Sequence, residues 1–281
     1  MSRSNLPRTG NPAVVQCAGA PDLFGPVYAI GQIRHYFPGK DIFKLFCQLD
    51  DSPASNPEIQ RLQTTMQKYP FFAREMGWLF QIQDVDTYVV LPRTPVELNY
   101  LITNMYVANL ATGTQTFDLI VGVLSPGELE RGGSDLPAVV VDVCDQFTLA
   151  QLVADILKEL PASTPTLPTA AQITELFGDV LQLADNTGDS DEQRALNYVC
   201  RNYPEFYIPQ YGPGAQAPST SIYFAGVSAR RSPLGAGRTV IDVVLRYENH
   251  ANGITSAYYT SVDVTGKYPF LVTPLQPYYE R

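Results

Sequence analysis

Two histidines, His35 and His250, are the whole supply of imidazole in the chain. Hydrolysis of the Ser-His-Asp kind needs a serine or cysteine activated by a histidine that an acid in turn orients. Neither histidine lies beside a G-x-S-x-G turn, and the sequence has no such turn. His250 falls in the loop Asn249 to Gly253 and reads as a solvated turn residue. His35, in Arg34-His35-Tyr36-Phe37, follows an apolar run and has cationic and aromatic neighbours. A hydrolase or cyclase pairing His35 with an Asp is therefore the enzymatic alternative.

Metal and phosphate chemistry find less support. Cys17, Cys47, Cys144 and Cys200 have no C-x-x-C spacing, so they read as buried thiols of a reducing compartment, not a zinc ribbon or disulfide scaffold. The acidic run Asp185 to Glu192 lacks EF-hand spacing, and Ser190 with Gln193 reads better as a helix cap. The Gly-rich run Gly212 to Ala217 is flanked by prolines and opens no helix, as a phosphate loop must. Asp142, Asp242 and Asp263 each interrupt a β-rich run, and with no histidine or metal ligand beside them they read as salt-bridged sheet acids, with Arg246 as a partner. No catalytic residue, metal ligand or cofactor is expected.

What remains is aromatic and basic. The chain holds 17 Tyr and 13 Phe, and 19 Lys and Arg against 28 Asp and Glu give a net charge of -9. That balance repels a phosphate backbone and argues against a nucleic-acid partner. Arg230, Arg231 and Arg238 nevertheless gather around a Ser-Pro-Leu-Gly-Ala-Gly loop, with Tyr223 and Tyr258 on the neighbouring strands. Tyr and Arg are the types enriched at binding hot spots, so these five are the candidate binding residues. An open sheet edge can accept an added strand; the hairpin Thr239 to Thr265 and the strand Ser221 to Val227 are the candidate edges.

The elements that must position them follow from periodicity. At 281 residues the chain has room for one large or two ordinary domains, and no apolar run approaches the roughly 18 to 20 residues of a membrane span. The N-terminus also lacks the apolar stretch of a signal peptide, so a cytoplasmic address is expected. Strands are expected at Val27 to Ile33, Trp78 to Gln83 and Thr87 to Leu91 around an Asp84-Val85-Asp86 turn, Phe117 to Leu124, and Pro137 to Val143. Helices are expected after caps at Ser55, Thr94, Thr148, Thr169 and Ser190. Four more strands, Ser221 to Val227, Thr239 to Tyr247, Ile254 to Thr265 and Phe270 to Val272, close the chain. The fold class is α+β, with antiparallel or mixed sheets and about six helices. A weak echo between Gln67-Lys68-Tyr69-Pro70 and Arg201-Asn202-Tyr203-Pro204 leaves two similar halves open. The expected organisation is a flexible tail 1–23, an α+β subdomain 24–160, a Pro-rich linker 161–169, and a second subdomain 170–281.

The order of several motifs is informative. Val27 to Ile33, Leu136 to Asp142, Arg194-Ala195-Leu196-Asn197-Tyr198, Arg231-Ser232-Pro233, Val240 to Val243, Ser261 to Thr265 and the ending Tyr268 to Tyr279 resemble, in that order, the C-terminal domain of unknown function of the PatA and PatG cyanobactin maturation proteases. The subtilisin-like protease module of those proteins has no counterpart here. The resemblance, over about residues 24 to 281, implies an accessory domain standing alone, similar to the peptide-binding accessory proteins of crocagin biosynthesis. It implies a non-enzymatic role, recognition of a ribosomal precursor peptide, and contact with modifying enzymes of the same pathway. A homodimer and a purely structural oligomerisation module stay open.

Overall fold

The computed structural model describes residues 25–105, 115–125, 136–160, 168–182, 186–208, 222–233, 235, 237–249 and 253–279. The expected tail 1–23, His250, Cys17, the Gly212 loop and most of the Pro-rich linker lie outside them.

The first half of the chain runs β1 (Pro26–Tyr36), α1 (Lys40–Leu49), α2 (Glu58–Lys68), α3 (Pro70–Ala73), β2 (Gly77–Ile82), β3 (Val85–Pro92), α4 (Pro95–Thr103), β4 (Thr116–Ser125), β5 (Ala138–Thr148) and α5 (Leu149–Glu159). The second half runs α6 (Ala170–Leu181), α7 (Asp191–Asn202), a 3-10 turn at Pro204–Tyr207, β6 (Ile222–Arg231), β7 (Val240–Asn249), β8 (Ile254–Asp263) and β9 (Phe270–Tyr278). This is an α+β fold. Strands β1 to β5 close into a barrel in the order β1-β2-β3-β5-β4, and β6 to β9 form a separate antiparallel meander. The barrel is mixed because β3 and β5 run parallel, Val89 opposite Ala138. The two sheets thus differ in topology, although both Tyr-Pro sequences of the internal echo end a helix and start a single short turn of helix.

The capping logic holds at Thr94, Thr148, Thr169 and Ser190, each with a complete capping box. It fails at Ser55: α2 begins at Glu58 after Pro57, whose ring leaves no side-chain acceptor to cap the helix. The β2–β3 turn is Gln83-Asp84, both at positive φ, instead of Asp84-Val85-Asp86. Strand β1 runs past Ile33, so His35 lies in the strand and faces Trp78 of β2 in the register. Cys144 and Cys200 are shielded to different degrees, but Cys47 is exposed, contrary to its reading as a buried thiol.

Strands β1 and β4 are the wall between two cores. Val27 and Ala29 of β1 with Ile120 of β4 face one core, which α1 to α4 cover with Phe46, Leu62, Phe72 and Leu101. The alternate residues, Tyr28 and Ile30 with Leu119 and Val121, face the other, shared with α5, α6, α7 and the inner side of the meander at Ile241, Val243 and Leu245. Burial on both faces is why β1 reads as a nearly continuous apolar run. The second core takes residues from both sides of the Pro-rich segment, so the chain boundary expected at 161–169 does not divide the packing.

Candidate functional site

His35 lines a cavity with Trp78, Tyr100 and Asp118. Asp118 is buried and accepts from the Ile33 backbone N–H at 2.7 Å and from Gln146 Nε2 at 3.1 Å. Burial, with a smaller push from the Asp145 carboxylate, raises its pKa to about 6, against the hydrogen bonds that favour the anion. Burial lowers the pKa of His35. A histidine and an acid thus share one small space, but its volume is about 10 Å³, room for one water and no substrate. Asp118 has a clear architectural task there. Beyond Gly31, β1 exchanges β4 for β2 as its partner, and the Asp118 carboxylate takes the Ile33 N–H that β4 no longer faces.

The arginines expected to bind peptide are placed as follows. Arg230 and Arg231 end β6, an outer strand of the meander, opposite Asp242 and Ile241. Arg230 is exposed, donates to Tyr278 Oη at 2.8 Å and stacks over that ring at 5.2 Å. Arg231 is exposed. Arg238 pairs with the buried Asp263 carboxylate at 3.4 Å and lies over the Phe270 ring. Tyr258 is half-buried and packs edge-on against Tyr247 on the inner side. The backbone of Tyr223 pairs with Glu248 at the far end of β6. Arg230 and Arg231 are thus chain neighbours at the end of β6 whose side chains alternate between the two faces of the sheet, Arg231 on the face of Ile241 and Arg230 on that of Asp242, with Arg238 in the loop that follows; Tyr258 is set towards the core and Tyr223 at the other end of the strand.

The expected edges change too. Strands β7 and β8 are interior, each paired on both sides, so the hairpin Thr239 to Thr265 offers no edge; β6 and β9 are the outer strands. A bulge between Phe224 and Gly226 interrupts the β6 ladder, a common device at sheet edges.

The three sheet acids are partnered. Asp142 receives Arg93 at 2.8 Å and Lys267 at 2.6 Å, and Asp242 accepts from Ser261 Oγ at 2.7 Å. Arg246 donates to Ser228 Oγ at 3.0 Å. Arg194, almost fully buried in α7, donates to the Val264 carbonyl at 3.0 Å and to the Gly266 carbonyl in the β8–β9 turn. Among the described residues no cluster of His, Cys, Asp and Glu could hold a metal, and no helix is long and apolar enough to cross a membrane.

Sequence reasoning missed a larger feature. A cleft of about 280 Å³ opens between β1, the β2–β3 turn, the start of β4 and α6. Its polar lining is almost wholly carboxamide: Gln32, Gln81, Gln83, Gln115, Gln182 and Asn186. Its apolar lining includes Ile30, Phe117, Phe177 and Leu181, with Phe117 and Phe177 edge-on at 5.1 Å. Gln83 ties the β2–β3 turn to the Leu181 carbonyl at the end of α6. Gln81 donates from Nε2 to Asp86 at 2.6 Å, and its Oε1 is buried without a hydrogen-bond partner. The one local signal was Gly178, a glycine in the body of an otherwise good helix.

Residues 163–278 match the family described as PatG C-terminal. No curated protein matches the chain. A solved structure described as the PatG domain of unknown function is similar over 90% of this chain and 98% of that one, with a TM-score of 0.68 at 18% identity. The likeness shows a shared fold.

Proposed function

We propose that this chain, which carries a domain of the PatG C-terminal type, is a non-enzymatic accessory protein that binds the precursor peptide of a ribosomally made natural product and presents it to modifying enzymes. The observation that carries this reading is the end of β6, where an outer strand finishes in the adjacent exposed arginines Arg230 and Arg231 although the chain's net charge is -9. An outer strand has backbone groups that pair with an added strand, and guanidinium groups at its end bind carboxylates bidentately. Tyr278 holds Arg230 in place, which reduces the ordering cost of a contact. The shortage of catalytic groups fits the same reading: His35 has a water-sized space beside it.

The experiment is calorimetric titration with the product of a precursor-peptide gene adjacent to the chain's own. Binding is expected, with the peptide mass unchanged on prolonged incubation. Replacing Arg230 and Arg231 by Glu is expected to weaken binding by about 1–3 kcal/mol with the thermal midpoint preserved. Unchanged affinity in the double variant removes the arginine end as the site. Absence of binding by the wild type moves the function to the oligomerisation reading.

A further inference from the structure

We infer that the carboxamide-lined cleft between β1, the β2–β3 turn and α6 binds a short, uncharged stretch of extended peptide bearing an apolar side chain. This rests on the peptide-binding reading and adds a second subsite to it, distinct from the arginines of β6.

The open backbone comes first. Tyr28 donates its N–H to the Gly188 carbonyl at 2.9 Å, and its C=O accepts from Asn197 Nδ2 at 2.9 Å, so the edge of β1 facing away from β4 is closed there. On that same edge, pairing with β2 runs from Tyr36 back to Gln32, which faces Gln81. Extended two residues further, the register would set Ile30 opposite residue 83, but the chain has already turned at Gln83-Asp84. By the two-residue alternation of a strand, Ile30 presents its N–H and C=O on this edge, between the two closures and on the wall of the cleft.

The side chains match an incoming peptide group. A carboxamide offers one acceptor and one donor side, as a peptide bond does. Asp86 accepts from Gln81 Nε2 and so fixes the orientation of that amide. The buried, unpartnered Oε1 is then an acceptor in search of an N–H. Phe117, Phe177 and Leu181 supply an apolar surface for one side chain. Among the described residues Asp84 is the one ionisable side chain in the lining, and it pairs with Arg34 at 3.6 Å. Among the described residues no cationic side chain lines the cleft, so the acidic part of a peptide belongs elsewhere.

Gly178 completes the argument. Glycine in a helix interior is less stable than alanine. Here a Cβ would meet nothing within 4 Å, and Gly178 lines the cleft. The missing side chain keeps space open without relieving any clash.

The test titrates the isotope-labelled full chain with acetyl-Ala-Thr-Leu-Ala-amide, followed by amide chemical shifts. Millimolar peptide is expected to shift Ile30, Gly31 and the Gln81 side-chain amide, and the same peptide with Glu for Leu is expected to shift them less. Gly178→Ala is expected to retain the response. Gly178→Leu is expected to weaken it about tenfold or more while the thermal midpoint is kept; if that variant is destabilised, Thr174→Leu, one turn earlier on the cleft, is expected to give the same loss. Absence of shifts at these amides, equal binding of the Glu peptide, or a response that survives both filling variants overturns the inference. Precursor binding that depends on the arginines without these shifts overturns the cleft alone. Cleft binding without precursor binding overturns the function and leaves the site.

Discussion

Asn197, midway along α7, donates from Nδ2 to the Tyr28 carbonyl at 2.9 Å across 169 residues of chain, and the same amide exchanges hydrogen bonds with Asn186. Three residues earlier on the same helix, Arg194 holds the β8–β9 turn. One helix therefore ties the barrel to the meander, and the run Arg194 to Tyr198 is conspicuous for structural reasons.

Asn197→Leu is expected to lower stability by about 2–4 kcal/mol, because it leaves the Tyr28 carbonyl and the Asn186 amide buried without partners. Denaturant titration checks this. A loss below about 0.5 kcal/mol would mean that water replaces both bonds.

Two glycines are expected to respond in opposite directions. Gly188 sits at φ 78°, and a Cβ there would meet the Tyr28 carbonyl oxygen at 2.5 Å. Gly188→Ala is expected to cost about 2–3 kcal/mol, combining left-handed backbone strain with a backbone clash that cannot relax cheaply. Gly178→Ala, with open space around it, is expected to stabilise by about 0.5–1 kcal/mol. Thermal unfolding of the pair decides, and destabilisation by both would refute the reading of Gly178.

The elements were legible where local chemistry set them, and the site was not. Thr148 and Thr169 advertise their helices because side chain and backbone complete the cap within four residues; Thr169→Ala is expected to cost about 1 kcal/mol in denaturant titration, and no loss would show that the cap is redundant. Alternation likewise marked β7 and β8, but which strands end up outside depends on pairings between distant segments. The Gln83-Asp84 turn was misplaced because Gln at positive φ is not a turn signal. The cleft was invisible for a related reason: Gln32, Gln81 and Gln182 are ordinary surface types until β1 changes partner beside them. Motif order pointed to the fold, since Arg194 and Asn197 build it, and was silent about the cleft.

The pH dependence of stability carries a signature of Asp118. Burial raises its pKa in the folded chain to about 6, above the ordinary carboxylate value near 4. The fold therefore favours the neutral acid. The contribution of this group is fully present below about pH 4, is lost as pH rises through about 6, and then stays constant at roughly 3 kcal/mol of lost stability. His35 acts in the opposite sense: burial lowers its pKa, so its contribution is full above about pH 6.5 and is lost as pH falls through its native value. The two partly cancel in the wild-type curve, so the measurement must be a difference. Asp118→Asn removes the titration while its Oδ1 can still accept from the Ile33 N–H. Any hydrogen bond lost towards Gln146 shifts the variant equally at every pH. Denaturant titrations of both proteins at pH 4 and pH 7 are expected to show the variant gaining about 2–3 kcal/mol relative to wild type between the two. A constant difference across that interval would show that the Asp118 carboxylate ionises as it does in the unfolded chain, and that its hydrogen bonds from Ile33 and Gln146 offset the whole cost of burial.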